Sequence, residues 1–513
     1  MSTLRALAAA QAVAAGTAQP VATVRHLHLS RRPLVLVPLA MAGEANAPVA
    51  AMVGAAPGEG RLLIVPQPRN RDQRFAFAAE LAAIVLPYVD AHRTGTEAVA
   101  VDRGRDVRYR FLDAPQLLVP NAAAVTFLRL LGRSTRFRRV DGEYPVPPQV
   151  PLLGRWLTFF AERAEHSGSS ALVAMTQALT LHWATGQSAV EDLHLPALLG
   201  WIAPPAGLSG ADAAARAEDP AVCPPAGPAT DPDFDNRLLA PAIEAYAVAG
   251  DDEAARAEAY TWLAGLLRDQ LTPTWELIWR GLGLLRALPA GARVAGRWTG
   301  DRDAFTAHAE HLDNDGAPQP ARDGAVAAAA RLHRLERAAA TYAVQRAFDD
   351  PLVMAEHRLT GEAFVGEVAL ADPARVDDSG RRPVLRPRIQ LVTTEPVLVP
   401  VGATLFSPAR PGQKARVIFV TPAADGKTEV VLELSGGMGR GLTASPGSVP
   451  EVGERHCYTT LSEAYVPSGA FPPAEQTPWT HGGPPVAEPV AVAGGAAVGA
   501  APELEPAPDE EWD

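Results

Sequence analysis

The hydrophobic pattern of this 513-residue chain changes period along its length, and each change limits what the segment can become. Residues 24–139 mix short apolar runs with helical spacing, residues 151–357 keep helical spacing, and residues 358–462 alternate as strands do. The last stretch is Pro-, Ala-, Gly- and Glu-rich and has no period. The expected architecture is therefore multidomain α+β. It comprises an N-terminal mixed α/β domain (1–150), a central all-α region (151–357), a small β-barrel (358–466) and a disordered acidic tail (467–513). A segment like that tail buries too little apolar surface to offset its ordering entropy.

Within the first region, residues 24–29, 34–39, 49–53, 62–65, 107–111 and 116–119 read as strands. Residues 71–88 read as a helix ended by Pro87, and Asn121 should cap a second helix that runs to Gly132. In the middle, helical spacing covers 156–165, 171–183, 238–249, 254–269, 275–288 and 325–348. Trp275, Ile278 and Trp279 fall at core spacing, so the tryptophan-bearing helices should pack together. Pro- and Asp-rich breaks are expected at 203–236 and 299–323. In the third region Asp425-Gly426, between two alternating runs, is a hairpin signal.

Charge is segregated along the chain. Residues 1–150 hold 18 arginines against 11 carboxylates, a net +7 inside a protein of net −12. Residues 151–357 carry −11 and the chain after residue 462 carries −9. Only Lys414 and Lys427 are lysines, which reads as the codon bias of a GC-rich bacterial genome. Clustering is thus more informative than arginine identity. The excess gathers at Arg69, Arg71 and Arg74, at Arg103, Arg105, Arg108 and Arg110, and at Arg129, Arg133, Arg136, Arg138 and Arg139. Arg129, Arg133 and Arg136 would line one helix face if the helix passes Gly132. A row of this kind suits phosphates, whose neutralisation releases counterions. Its competing explanation is ion pairing with the acidic middle.

Other motifs are weaker. Residues 424–428 (ADGKT) lack the upstream glycine and following helix of a phosphate loop, and 436–441 (GGMGRG) lacks the helix that a dinucleotide site needs. His308, Glu310, His311, Asp313 and Asp315 form the densest set of metal-type ligands, without a zinc-hydrolase spacing. His26 and His28 would share one strand face. Asp231, Asp233 and Asp235 suit a helix N-terminus better than a calcium loop. Two cysteines, Cys223 and Cys457, make no disulfide framework. Met1 to Ala18 is too weakly apolar for a secretory core, and no membrane span is expected, so a cytoplasmic location follows.

The N-terminal order of helix, strands, helix and strand resembles the restriction-endonuclease-like nuclease core. That resemblance implies an acid on one strand and an acid-x-Lys pair on the next, to hold Mg²⁺ and activate water. The runs 34–39 and 62–65 contain neither, and Glu44, Glu59 and Asp72 lie only nearby, so an inactive copy is implied.

The sequence supports a non-enzymatic, nucleic-acid-associated accessory or adaptor subunit of a bacterial multi-protein machine, with a helicase or nuclease link and phage defence among the settings it allows. Its partners would be a nucleic acid, held by the arginines above, and a protein. The protein would dock on the tail end Glu510, Glu511, Trp512 and Asp513, an aromatic anchor beside carboxylates. No cofactor is expected. The alternatives are a metal-dependent hydrolase using Glu44, Asp72 or the His308 cluster, and a scaffold whose basic and acidic regions dock on each other.

Overall fold

A computed structural model describes residues 2–43, 47–101 and 104–463. The tail reading, Glu44, Arg103 and the terminal Glu510–Asp513 peptide lie outside these residues. The central element is a five-stranded sheet built from β1 (Leu34–Ala40), β2 (Pro48–Gly54), β3 (Arg61–Ile64), β6 (Leu117–Val119) and β7 (Leu172–Ala174). Its order is β3-β2-β1-β6-β7. β1 to β3 form an antiparallel meander; β6 runs parallel to β1, and β7 parallel to β6. Every residue of β1 and β2 is buried, the signature of strands covered on both faces. Pro38 sits inside β1 without a donor. It is tolerated because β6 pairs with β1 only at Leu34 and Val35.

One face packs Leu36, Val53, Leu63 and Leu117 against α2 (Arg71–Asp90), α3 (Ala122–Thr135), α4 (Gln149–Glu165) and α10 (Val294–Asp313). The other packs Val35, Val37, Met52 and Leu118 against α5 (Met175–Thr180), α6 (Leu195–Ile202) and α9 (Glu253–Ala287). The helices numbered between these are α7 (Gly210–Ala217) and α8 (Ala240–Val248). The sheet thus draws its last strand and one helical layer from beyond residue 150. The tryptophan-bearing helices, expected to pack together, do so in two separate layers. Trp156 and Trp298 belong to the first core and Trp275 to the second.

Several boundaries differ from expectation. Residues 24–29 form no strand, only an isolated bridge from Arg25 to Ala290. Residues 171–183, read as helix, hold β7 and then the short α5, because the apolar run Leu172–Ala174 completes the sheet beside β6. The two runs 254–269 and 275–288 are one helix that passes through Pro273. Part of the expected break at 299–323 lies inside α10. α2 passes Pro87 because its last turn still buries Val89. With the turn after it, α2 is the one segment among the described residues long and apolar enough to cross a membrane. Its Phe77, Leu81 and Val85 pack into the first core.

Beyond α1 (Thr3–Ala15) and the hairpin β4 (Thr96–Val101) and β5 (Asp106–Phe111), the chain continues through α11 (Ala325–Asp349) and α12 (Pro351–Leu359) into a closed six-stranded barrel. Its strands are β8 (Ala363–Asp372), β9 (Arg388–Thr393), β10 (Thr404–Ser407), β11 (Arg410–Pro422), β12 (Thr428–Ser435) and β13 (Arg455–Thr459). They close in the order β8-β9-β12-β11-β10-β13. Alternate side chains, among them Phe364, Ile389, Leu391, Leu405, Val417 and Leu432, fill the interior. The expected hairpin is present: Asp425 (φ 60°) and Gly426 (φ 70°) turn β11 into β12. Residues 436–441 form a loop with three glycines at positive φ and no helix after it.

Candidate nucleic-acid interface

The arginines expected to act together have different fates. α3 does pass Gly132, because this glycine serves close packing instead of a helix stop. A Cβ there would lie 2.9 Å from the Thr158 nitrogen of α4. Arg129, Arg133 and Arg136 therefore share a continuous helix and its C-cap. They do not form an open row. Arg129 pairs with Glu165 at 2.7 Å. Arg136 is only 4% exposed, its Nε and an Nη donating to the carbonyls of Gln319 and Pro320 at 2.8 Å. Arg133 is exposed, with an Nη 3.4 Å from the Ala321 carbonyl.

Two of the hairpin arginines are bound by acids. Arg108 and Arg110 both reach Asp303 of α10, at 2.6 and 3.2 Å. Arg110 and Arg302 share Glu97, each at 2.6 Å. Arg105 is exposed beside Gly104 at the hairpin turn.

A third group does come together at the surface. Asn70 caps α2, accepting from the Gln73 nitrogen at 3.0 Å, and this sets Arg71 and Phe75 one turn apart. The Arg71 guanidinium lies 4.8 Å from the Phe75 ring centre and 5.8 Å from that of Tyr144, and donates to the Tyr144 carbonyl. From the other end of the region, Arg138 approaches the same Phe75 ring at 5.5 Å. Tyr144 is 68% exposed and Phe137 50% exposed, with the Arg136 guanidinium 4.8 Å from the Phe137 ring. Arg69 and Arg139 are exposed and Arg74 half-buried. Acids temper the patch: Asp72 pairs with Arg71, and Asp141 with Arg139. The aromatic partners were missed in the sequence, although Phe75 four residues after Arg71 and Phe137 inside the run 136–139 (RFRR) were readable signals.

The remaining candidate residues serve the fold. His308 stacks on Phe159 at 4.7 Å and burial holds its imidazole down at about 4. His311 meets the Ala317 carbonyl and Asp313 pairs with Arg93. No group of three or more His, Cys, Asp or Glu among the described residues is arranged to hold a metal ion. His26 and His28 share no strand face. His26 is buried 3.4 Å from Asp350, whereas His28 stacks on Trp298 at 4.0 Å. Asp231 caps a short helical turn through the Asp233 and Phe234 nitrogens, and Asp235 accepts from the Ala42 nitrogen. Strands β1 to β3 carry no carboxylate and no lysine. No known protein family, curated protein or solved structure matches this chain.

Proposed function

We propose that the protein is a non-enzymatic accessory or adaptor subunit of a bacterial machine that meets a nucleic acid through Arg71, Arg74, Arg133, Arg138 and Arg139. One observation carries this reading: two guanidiniums from distant parts of the chain share the Phe75 ring, with Tyr144 and Phe137 exposed beside them. Guanidiniums suit phosphates and exposed rings suit bases, a combination that favours single strands. Arg108, Arg110, Arg129 and Arg136 drop out of the reading because their charge is committed within the fold.

Fluorescence polarisation with labelled single-stranded DNA, RNA and duplex DNA at two salt concentrations tests it. The triple variant Arg71→Glu, Arg138→Glu, Arg139→Glu should weaken binding at least ten-fold and flatten the salt dependence. Equal affinity of wild type and triple variant would sink the proposal. A second reading, a scaffold held by basic-on-acidic docking, draws support from the capture of Arg108 and Arg110 by Asp303. Under that reading, none of the labelled nucleic acids binds.

A further inference from the structure

A separate cleft of about 500 Å³ opens where the loop after α4 meets α10 and α11. Arg163, His166, Arg297, Arg334, Arg337 and Tyr342 are among its lining residues, and no carboxylate is. Arg163 is neutralised from behind by buried Asp301 at 2.6 Å, which also accepts from the Ser169 hydroxyl and the Ser170 nitrogen. Arg297 is less well answered. Its side chain is 9% exposed, and its nearest carboxylate oxygen, on Asp349, is 4.0 Å away. Its two Nη groups donate to neutral acceptors, the Gln345 side chain and the His26 carbonyl, and its buried Nε has no partner. A buried cation with an unused donor is costly unless an anion answers it.

The cleft's shape is also built. Gly168 (φ 86°) lets the loop rest on the Arg297–Tyr342 stack; a Cβ there would come within 2.9 Å of the Arg297 side chain. Gly296 and Gly300, one turn apart on α10, also line the cleft, and a Cβ on either would meet nothing within 4 Å. The helix surface at these positions is left open to an occupant. Arg334 and Arg337 stand one turn apart on α11.

We infer that this cleft binds a small molecule carrying two or more phosphates, of the size of a nucleoside di- or triphosphate. Several guanidinium forks around one cleft match the bidentate geometry of phosphate oxygens. The volume lies in the range of small-molecule sites.

Isothermal titration of the full chain with inorganic pyrophosphate, adenosine triphosphate, adenosine and a short single-stranded oligonucleotide tests the inference. Pyrophosphate and the triphosphate should bind and adenosine should not. Two variants act by different means. Arg334→Glu with Arg337→Glu reverses charge, and Gly300→Leu fills the open helix face while improving helix propensity. Each should weaken pyrophosphate binding at least ten-fold while circular dichroism of the free variant still shows the folded protein. Arg71→Glu with Arg138→Glu should leave pyrophosphate affinity unchanged, which separates this cleft from the proposed nucleic-acid interface. Failure of both phosphate compounds to bind, or survival of binding in both cleft variants, overturns the inference. So does oligonucleotide binding that the cleft variants weaken and Arg71→Glu with Arg138→Glu does not, with neither phosphate compound bound; that outcome assigns the cleft to a nucleic-acid strand.

Discussion

At Gly154 a single hydrogen in place of a side chain decides how two helices meet. A Cβ there would lie 2.5 Å from the Arg136 nitrogen and the Thr135 hydroxyl, and Gly132 faces α4 from the opposite side. Gly154→Val should therefore separate α3 from α4 and cost roughly 2 kcal/mol or more, as overpacking does. Urea denaturation measures this as a lower midpoint at unchanged slope. Buried histidines make a second residue-level prediction. Burial holds His182 and His308 down at about 4, against about 6.5 in an unfolded chain. The unfolded state binds their protons more readily, so their contribution is complete above pH ~6.5 and is lost as pH falls toward ~4. The thermal midpoint should drop by several degrees between pH 7 and pH 5. Replacing both with Gln should flatten that drop; an unchanged slope refutes the assignment. Asp350 adds to acid sensitivity at lower pH. Burial alone would raise its pKa, but the His26 ring 3.4 Å away and hydrogen bonds from Thr23 and the Leu352 nitrogen outweigh it and hold the carboxyl well below the usual range.

At the scale of elements, local chemistry and tertiary packing each won in places. The Asp425-Gly426 turn was legible because two adjacent residues at positive φ strongly favour this pair. Gly426→Val should cost about 1–3 kcal/mol through strain at φ 70°. Barrel strands β11 and β12 should then lose hydrogen-exchange protection before the five-stranded sheet does. Periodicity failed at β7, where three apolar residues abutting a helix look like its first turn. Only the free edge of β6 makes Leu172–Ala174 a strand. Pro273 likewise breaks a pattern without breaking the helix. α9 is anchored on both sides of it by Leu263, Leu267, Leu271, Trp275 and Ile278, all buried in the same core.

For the whole molecule, segregated charge is partly consumed by folding. The β4–β5 hairpin is fastened to α10 through Arg108, Arg110, Asp303, Glu97 and Arg302. Asp303→Lys should release it. Limited trypsin digestion should then cut within residues 96–111 several-fold faster than in wild type, whereas equal rates would argue that the strands hold the hairpin unaided. Arg110 and Asp303 are only 13% and 30% exposed, so a lysine facing the two arginines should also lower the urea midpoint of the whole protein.

The sequence by itself determined the element types wherever a strong local signal existed: the strand runs of β1 and β2, the Asn121 cap, the alternating barrel strands and the Asp-Gly turn. It also determined that the N-terminal third carries an arginine excess. Tertiary structure alone decided which arginines remain at the surface. Arg136 and Arg138 are two residues apart, yet one is spent on the carbonyls of Gln319 and Pro320 while the other reaches the Phe75 ring. Their partners lie far away in sequence, and charge, unlike periodicity, has no local mark of whether it is already answered.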